Sequence, residues 1–390
     1  MAKARIAVIG AGLMGHGIAQ VFALAGHDVS IYDSVAANLD SAKARILANL
    51  KDLGDDSSAV ERVRPRADLA AAVREADYVV EAVLEDLPLK QKLFAEIETH
   101  VRPGTILASN TSVIPITKII EGLRDRSRAL GTHWWNPPYL VPLVEVIGTQ
   151  WTSPAAIDWT MALHKAADKM PVHVKKDVPG FVGNRLQHAL WREAIALVER
   201  GICDAETVDT VIKASFGRRL AVLGPLENAD LVGTDLTLAI HKTVLPDIDG
   251  RPHPSPYLEA LVADGKLGCK SGAGFRTWTA EAQAALRRNV LQPVADEAGY
   301  ILLHVHGHLA RGFMQRDRRV DRLLRRPLRS DHLHQRHEIG RIPPMGAERA
   351  RAVAQTLHDL GDRDHRGVAG EDRVRRHVSF NLGEQLLLER

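Results

Sequence analysis

The sequence predicts an α/β domain built on a mostly parallel sheet, then an all-helical second domain, then a C-terminal stretch that fits neither. Three observations carry this. Arg5 to Gly10, RIAVIG, is a short apolar run that passes straight into the glycine-rich turn Gly10-Ala11-Gly12-Leu13-Met14-Gly15, as a buried parallel strand does when it feeds a helix N-terminus. Strand-like runs then alternate with helical periodicity as far as Val174, the signature of repeated βαβ units. From Phe181 to about Arg288 only the helical period remains.

Composition sets the bounds. With 390 residues, 45% apolar and 25% charged, the chain is an ordinary globular protein of two or three domains. Cys203 and Cys269 are its only cysteines, which supports neither a disulfide framework nor a cysteine zinc site and suits a reducing compartment. The start, MAKARIAVIGAG, has too short an apolar run for a signal peptide, and no stretch approaches the roughly 20 apolar residues that span a bilayer. A cytoplasmic location, with no membrane and no metal, is expected. The net charge of +3 is unevenly divided: residues 301–390 carry +6 and residues 1–300 carry −3, so the basicity belongs to the tail alone, and no nucleic-acid partner is expected.

After the glycine turn, Ile18, Val21, Phe22 and Ala25 recur at helical spacing until Gly26, and His27 to Tyr32 forms a second strand closed by Asp33. Strand, glycine turn, helix, strand and acid, in that order, make a Rossmann-type dinucleotide site. The glycines let backbone amides approach a pyrophosphate at the helix N-terminus, and Asp33 accepts from the adenosine ribose hydroxyls. Ser34 follows Asp33 where an arginine would be needed to offset a 2′-phosphate, so NAD is preferred to NADP.

Ala36 to Leu53 is helical and ends in the breaker run Gly54 to Ser58; a poor strand near Arg62 to Arg64 and an alanine-rich helix from Asp68 to Glu75 follow. Tyr78 to Val83 is a strand. Glu85 lies just past it, either at the ligand-binding end of the sheet or as a charge complementing the next helix, Leu87 to Val101. Lys90 in that helix reads equally as a solvated face. Ile106 to Ala108 is a strand ending in Ser109-Asn110-Thr111-Ser112. These small polar residues can offer hydroxyls to a substrate oxygen or to the nicotinamide ribose, or cap the short helix Pro115 to Ile120.

The chemistry is placed in Gly131 to Ile147, GTHWWNPPYLVPLVEVI. A strand from Arg128 ends at His133, Pro137 and Pro138 forbid helix, and Leu143 to Ile147 returns as a strand. That return can set Glu145 beside His133. A carboxylate bonded to one imidazole nitrogen fixes the tautomer and raises the basicity of the other, which suits a general base near neutral pH; a structural strand-end histidine is the alternative. A helix from Pro154 to Ala167 and a strand from Val172 to Val174 complete the first domain. Near Pro179 the pattern changes, and a long helix from Phe181 to Glu199 carries Asn184 in its first turn, facing the strand ends or merely exposed. The expected division is residues 1–179, 180–290 and 291–390.

Several motifs now align in order and spacing: GAGLMGHGIA, EAVLEDLPLKQKLF, ASNTS, GTHWWNPPYLVPLVEV, KKDVPGFVGNRL, LGPLENADLVGTDLT and LGCKSGAGF. From about Ile6 to Trp278 the chain resembles the 3-hydroxyacyl-CoA dehydrogenase family. The resemblance implies a two-domain NAD enzyme that forms a homodimer through its helical domain. It makes His133 the general base and Glu145 its orienting partner, with Ser112 and Asn184 bonding the oxygen on the reacting carbon. Gly10, Gly12, Leu13, Met14, Gly15 and Asp33 would hold NAD together with Glu85, Lys90, Ser112, Asn136 and Lys270; for Asn136 and Lys270 the resemblance is the whole argument.

Two departures bear on the substrate. Trp134-Trp135 follow His133 where acyl-CoA members carry smaller residues, and the NPPYLVPLVEV that follows is similar to the branch of λ-crystallin, L-gulonate 3-dehydrogenase and carnitine dehydrogenase. Two indoles beside the base would narrow the pocket. The segment from Asp33 to Tyr78 has room for one good helix where acyl-CoA members place a longer hairpin that helps hold CoA. The second domain's motifs instead look like the 3-hydroxybutyryl-CoA branch. On balance the sequence puts oxidation of an L-3-hydroxyacyl-CoA ahead of oxidation of a free 3-hydroxy acid. A non-catalytic, crystallin-like NAD binder is the competing class, and retention of Ser112, His133, Glu145 and Asn184 together speaks against it. No lysine follows Asn184 closely enough for a lysine-based β-hydroxy acid dehydrogenase.

Residues 301–390 contain 18 arginines, no lysine and nine of the 18 histidines. They lack a sustained amphipathic pattern and a metal-ligand spacing, so this poorly packed extension is expected to lie outside the fold. Its deletion is expected to leave activity intact.

Overall fold

The computed structural model describes residues 2–286; the expectations for the Arg/His-rich extension lie outside these residues. One sheet of eight strands organises the first domain in the order β3-β2-β1-β4-β5-β6-β7-β8. The chain runs β1 (Arg5–Ile9), α1 (Gly15–Leu24), β2 (Asp28–Tyr32), α2 (Ala36–Leu53), β3 (Val63–Arg66), α3 (Leu69–Val73), β4 (Tyr78–Glu81), α4 (Leu87–His100), β5 (Ile106–Ser109), α5 (Ile116–Ile120), β6 (Ala129–Trp134), β7 (Leu143–Ile147), α6 (Pro154–Ala166) and β8 (Met170–Val174). Neighbours pair in parallel except β6 and β7, which are antiparallel. The sequence order therefore reverses beside β1, between β1 and β4, which is where open α/β sheets bind ligands.

The sheet is buried on both faces. Alternate residues of β1 go to opposite cores: Ile6 and Val8 pack with Phe22, Ile46, Leu50 and Trp134, whereas Ala7 and Ile9 pack with Val73, Phe94, Ile97 and Ile116. This is the two-residue period of a strand covered on both sides, and it explains the unbroken apolar runs in the sequence.

Helix boundaries follow local chemistry. Gly54 ends α2 with a left-handed φ of 66°, a conformation glycine adopts without steric penalty. The side chains of Asp86, Ser153 and Asp204 accept amide hydrogens at the starts of α4, α6 and the helix beginning at Ala205, as good N-caps do. The weak strand near Arg62 is real but displaced: Val63–Arg66 pairs with β2 at the sheet edge, the position in a sheet where a proline such as Pro65 is tolerated.

After β8 come α7 (Gly183–Glu199), α8 (Ala205–Ala214), α9 (Pro225–Val232), α10 (Thr234–Val244) and α11 (Pro256–Ala263). Among the described residues this second domain holds no named strand; isolated bridges at Gly268–Ala273 and Ala273–Thr277 are the only β pairing. The helix expected from Phe181 begins at Gly183, because Phe181 takes a positive φ of 50° and the amides of Val182 and Gly183 are used elsewhere. No helix among the described residues is long and apolar enough to cross a membrane.

Candidate active site

Antiparallel register sets His133 on β6 directly opposite Glu145 on β7. Facing residues on one side of a ladder have neighbouring side chains, and here Nδ1 of His133 lies 2.8 Å from Oε2 of Glu145. The other oxygen, Oε1, accepts from the backbone amides of Val182 (2.9 Å) and Gly183 (3.0 Å) at the start of α7. Burial alone would raise the Glu145 carboxyl, but the His133 bond and these two amides outweigh it and hold it below the usual carboxylate range. An ionised Glu145 takes its hydrogen from Nδ1, leaving the Nε2 lone pair as the basic site. Glycine is required at 183, since a Cβ there would lie 2.4 Å from Cζ2 of Trp135.

The imidazole is walled by Trp135, with ring centroids 5.2 Å apart, and by Phe181, at 5.6 Å. The expectation that both indoles narrow the pocket needs correction. β6 continues through Trp134, so alternation sends that side chain to the opposite face. There it is buried against Phe22 and His164. Only Trp135 stands beside the base.

Asn184 and Ser112 do come together. The Asn184 side-chain amide donates to the backbone carbonyl of Ser112 at 2.9 Å, joining α7 to the loop after β5. That loop is fixed from the other side by Glu85, whose Oε1 accepts from the Thr111 hydroxyl and from the amides of Ser112 (2.8 Å) and Val113 (3.1 Å). Burial would raise the Glu85 carboxyl; the Thr111 bond, the Lys90 charge and the two amides lower it overall.

Lys90 belongs behind this site. Neither reading of it as a solvated or a cofactor-facing cation matches its placement: it is fully buried, with its ammonium 2.7 Å from Glu81 and 3.3 Å from Glu85. Glu81, also fully buried, accepts in addition from Ser109 Oγ at 2.6 Å and from the Val83 amide at 2.7 Å. The sequence carried a signal for Glu81 that went unused, a lone charge inside the apolar run YVVEAV, which requires a buried partner.

The glycine turn is built for close approach. Gly10 has φ +101°, and a Cβ on it would meet the Ala82 carbonyl oxygen at 2.5 Å; a Cβ on Gly15 would lie 1.6 Å from the Gly10 carbonyl oxygen. A Cβ on Gly12 would meet nothing within 4 Å, which leaves open space over the turn. Leu13 is largely exposed, while Met14 packs against the core. Asp33 closes β2, but its carboxylate is already engaged: Oδ2 accepts from the Ala11 amide (2.7 Å) and from Asn38 Nδ2 (3.2 Å), and Oδ1 from the Val35 amide (2.8 Å). With about four acceptor sites on a carboxylate, one remains for a ribose hydroxyl. Exposed Asn136 directly follows Trp135 and precedes a cis bond to Pro137. Lys270 lies exposed in the second domain and is not joined by any hydrogen bond or ion pair to the residues above. Open glycine turn, free space at Gly12 and ribose acid together fit a dinucleotide.

Comparison with known proteins agrees with this fit. Residues 5–178 match the family model for the 3-hydroxyacyl-CoA dehydrogenase NAD binding domain, and residues 180–278 match the model for its C-terminal domain. The chain is 37% identical over 287 residues to the 5-formyl-3-hydroxy-2-methylpyridine 4-carboxylate 5-dehydrogenase of Mesorhizobium japonicum, covering 72% of this chain and 93% of that enzyme. It is 38% identical over 288 residues to the mitochondrial hydroxyacyl-coenzyme A dehydrogenase of Homo sapiens, covering 69% and 90%. A crystal structure of a 5-formyl-3-hydroxy-2-methylpyridine 4-carboxylic acid 5-dehydrogenase, described as an NAD+ dependent dismutase, superposes with a TM-score of 0.72 at 34% identity, covering 77% of this chain and 99% of that one.

Proposed function

Since the chain belongs to the 3-hydroxyacyl-CoA dehydrogenase family, an NAD-dependent group of oxidoreductases acting on CH–OH, we propose that it oxidises the alcohol carbon of a hydroxy acid with His133 as the general base. The observation that carries this is the 2.8 Å bond between His133 and Glu145, with Glu145 itself anchored by two amides of α7.

NAD, when bound, supplies the hydride acceptor. The chain's own residues do the rest. Nε2 of His133 takes the hydroxyl proton as the carbon gives up its hydride, and Glu145 stabilises the imidazolium that forms. The Ser112 hydroxyl and the second N–H of Asn184 donate to the oxygen as its charge develops. Glu85 holds the Ser112 loop in place, with Lys90 and Glu81 behind it. Gly12, Leu13, Met14 and Asp33 hold the dinucleotide, and Asn136, exposed directly after Trp135, is open to it; Lys270, exposed in the second domain, would join them only on cofactor binding.

For the substrate, we favour a small free acid over the CoA thioester that the sequence put first. One α-helix, α2, fills the segment between β2 and β3 apart from a short 3-10 turn at Ser57–Arg62, and Trp135 occupies space beside the base. The likeness to a pyridine carboxylate dehydrogenase supports the same choice. The thioester reading keeps the support of the human relative. NADH formation on 3-hydroxybutyryl-CoA and on free 3-hydroxybutyrate decides between them: turnover of the thioester alone would sink our choice.

A homodimer completes the proposal. Helices α9 and α10 bury none of their own residues, and Leu226, Leu231, Leu238 and Ile240 are exposed. Two helices that leave so many large apolar residues exposed suit a protein interface, which a second copy would cover. Light scattering should give the dimer mass for the full chain and the monomer mass for Leu231→Arg.

A further inference from the structure

We propose that Arg45, on α2, is a positioning residue for the pyrophosphate of NAD, acting through the carbonyls of the glycine turn. Its Nη2 donates to the Ala11 carbonyl at 2.5 Å and to the Asn38 carbonyl at 2.9 Å, and Nη1 to the Gly12 carbonyl at 3.3 Å. Nη1 also lies 3.1 Å from Nδ1 of the buried His16, which is itself 2.7 Å from the Gly12 carbonyl.

The consequence follows from peptide planarity. In a trans peptide the C=O and the next residue's N–H point in opposite directions. Drawing the Ala11 and Gly12 carbonyls toward Arg45 therefore aims the amides of Gly12 and Leu13 away from it. Neither amide, nor that of Met14, has a hydrogen-bond partner among the described residues, and the space over Gly12 is open. Such a row of free amides at a helix start is what a phosphate requires. Arg45 also closes a ring. Ala11 donates to Asp33, Asp33 accepts from Asn38, and both the Asn38 and Ala11 carbonyls return to the same Nη2. Turn, ribose acid and α2 are thus set as one unit. A lysine would keep the charge but lacks the planar fork needed to hold three carbonyls.

The test compares wild type, Arg45→Met and Arg45→Lys by fluorescence titration of NADH, with ADP-ribose and adenosine as competing ligands, and by steady-state kinetics. Loss of two or three hydrogen bonds should raise the Kd of NADH, the KM for NAD and the Ki for ADP-ribose about tenfold in both variants. The turnover number kcat should change far less than KM, and the Ki of adenosine, which has the ribose but no phosphate, should rise less than that of ADP-ribose. Wild-type behaviour of Arg45→Lys would reduce the effect to charge and overturn the proposal. So would an adenosine Ki that rises in step with that of ADP-ribose, or an unchanged KM in Arg45→Met. Arg45→Lys retains a long cationic side chain and keeps the experiment decisive if Arg45→Met fails to fold.

Discussion

Asn184 donates its side-chain amide to the backbone carbonyl of Ser112 at 2.9 Å, so the first turn of the helical domain is bonded to the loop at the end of β5. The bond fixes the amide plane and leaves a second N–H for a substrate oxygen. Asn184→Ala should lower kcat about 100-fold, the usual cost of a lost donor to developing negative charge. Ser112→Ala should cost less, because it removes a hydroxyl while the carbonyl that orients Asn184 persists. A loss in Asn184→Ala no larger than that in Ser112→Ala would overturn this ranking.

Glu145 is held below the usual carboxylate range despite its burial, so it is ionised wherever the enzyme works. Glu145→Gln keeps an acceptor for the Val182 and Gly183 amides but loses the charge that steadies the imidazolium. Turnover should fall by about 10²- to 10⁴-fold, with NADH affinity, measured by fluorescence titration, within a factor of two or so. A parallel loss of NADH affinity would mean that the variant had disturbed α7 and not the base.

Lys90 and Glu81 form a fully buried ion pair at 2.7 Å. Removing one partner strands the other's charge, so Lys90→Met should cost about 3–5 kcal/mol of stability. The double variant Glu81→Gln/Lys90→Met has no stranded charge and should recover part of that loss by denaturant titration. Because Lys90 also reaches Glu85, recovery of stability without recovery of activity is expected. Additive losses in the two positions would rule out the coupling.

What the sequence disclosed divides along physical lines. The His133–Glu145 pair was legible because two strands joined by a proline-rich turn leave few registers, and β7 runs over the same Leu143–Ile147 as expected. Trp134 was misplaced because strand alternation depends on where the strand ends, and β6 continues one residue beyond His133. Arg45 left no signal, since it acts on backbone carbonyls of another element and no side-chain pattern records them. Lys90 looked solvated because its burial depends on Glu81, nine residues earlier on a different element. The positive φ of Phe181, which seats its ring against His133, is equally invisible in a residue type that rarely adopts it.

His164 on α6 supplies a prediction about stability against pH. Its ring is fully buried against Phe22, Tyr78 and Trp134, with Nδ1 2.8 Å from the Thr160 carbonyl. Burial pushes its pKa down to about 4 and the Lys169 charge adds to this, only partly opposed by the Thr160 bond. Between about pH 6.5 and pH 4 the unfolded chain binds a proton that the native ring refuses. The stability due to the neutral ring is thus complete above pH 6.5 and declines as pH falls toward 4, by on the order of 3 kcal/mol. His164→Phe cannot titrate and leaves no polar atom in a pocket where Nε2 has no partner among the described residues. Thermal unfolding from pH 7 to pH 4 should show a shallower fall in Tm for His164→Phe than for the wild type. Parallel curves across that range would mean that the ring is protonated in the native core.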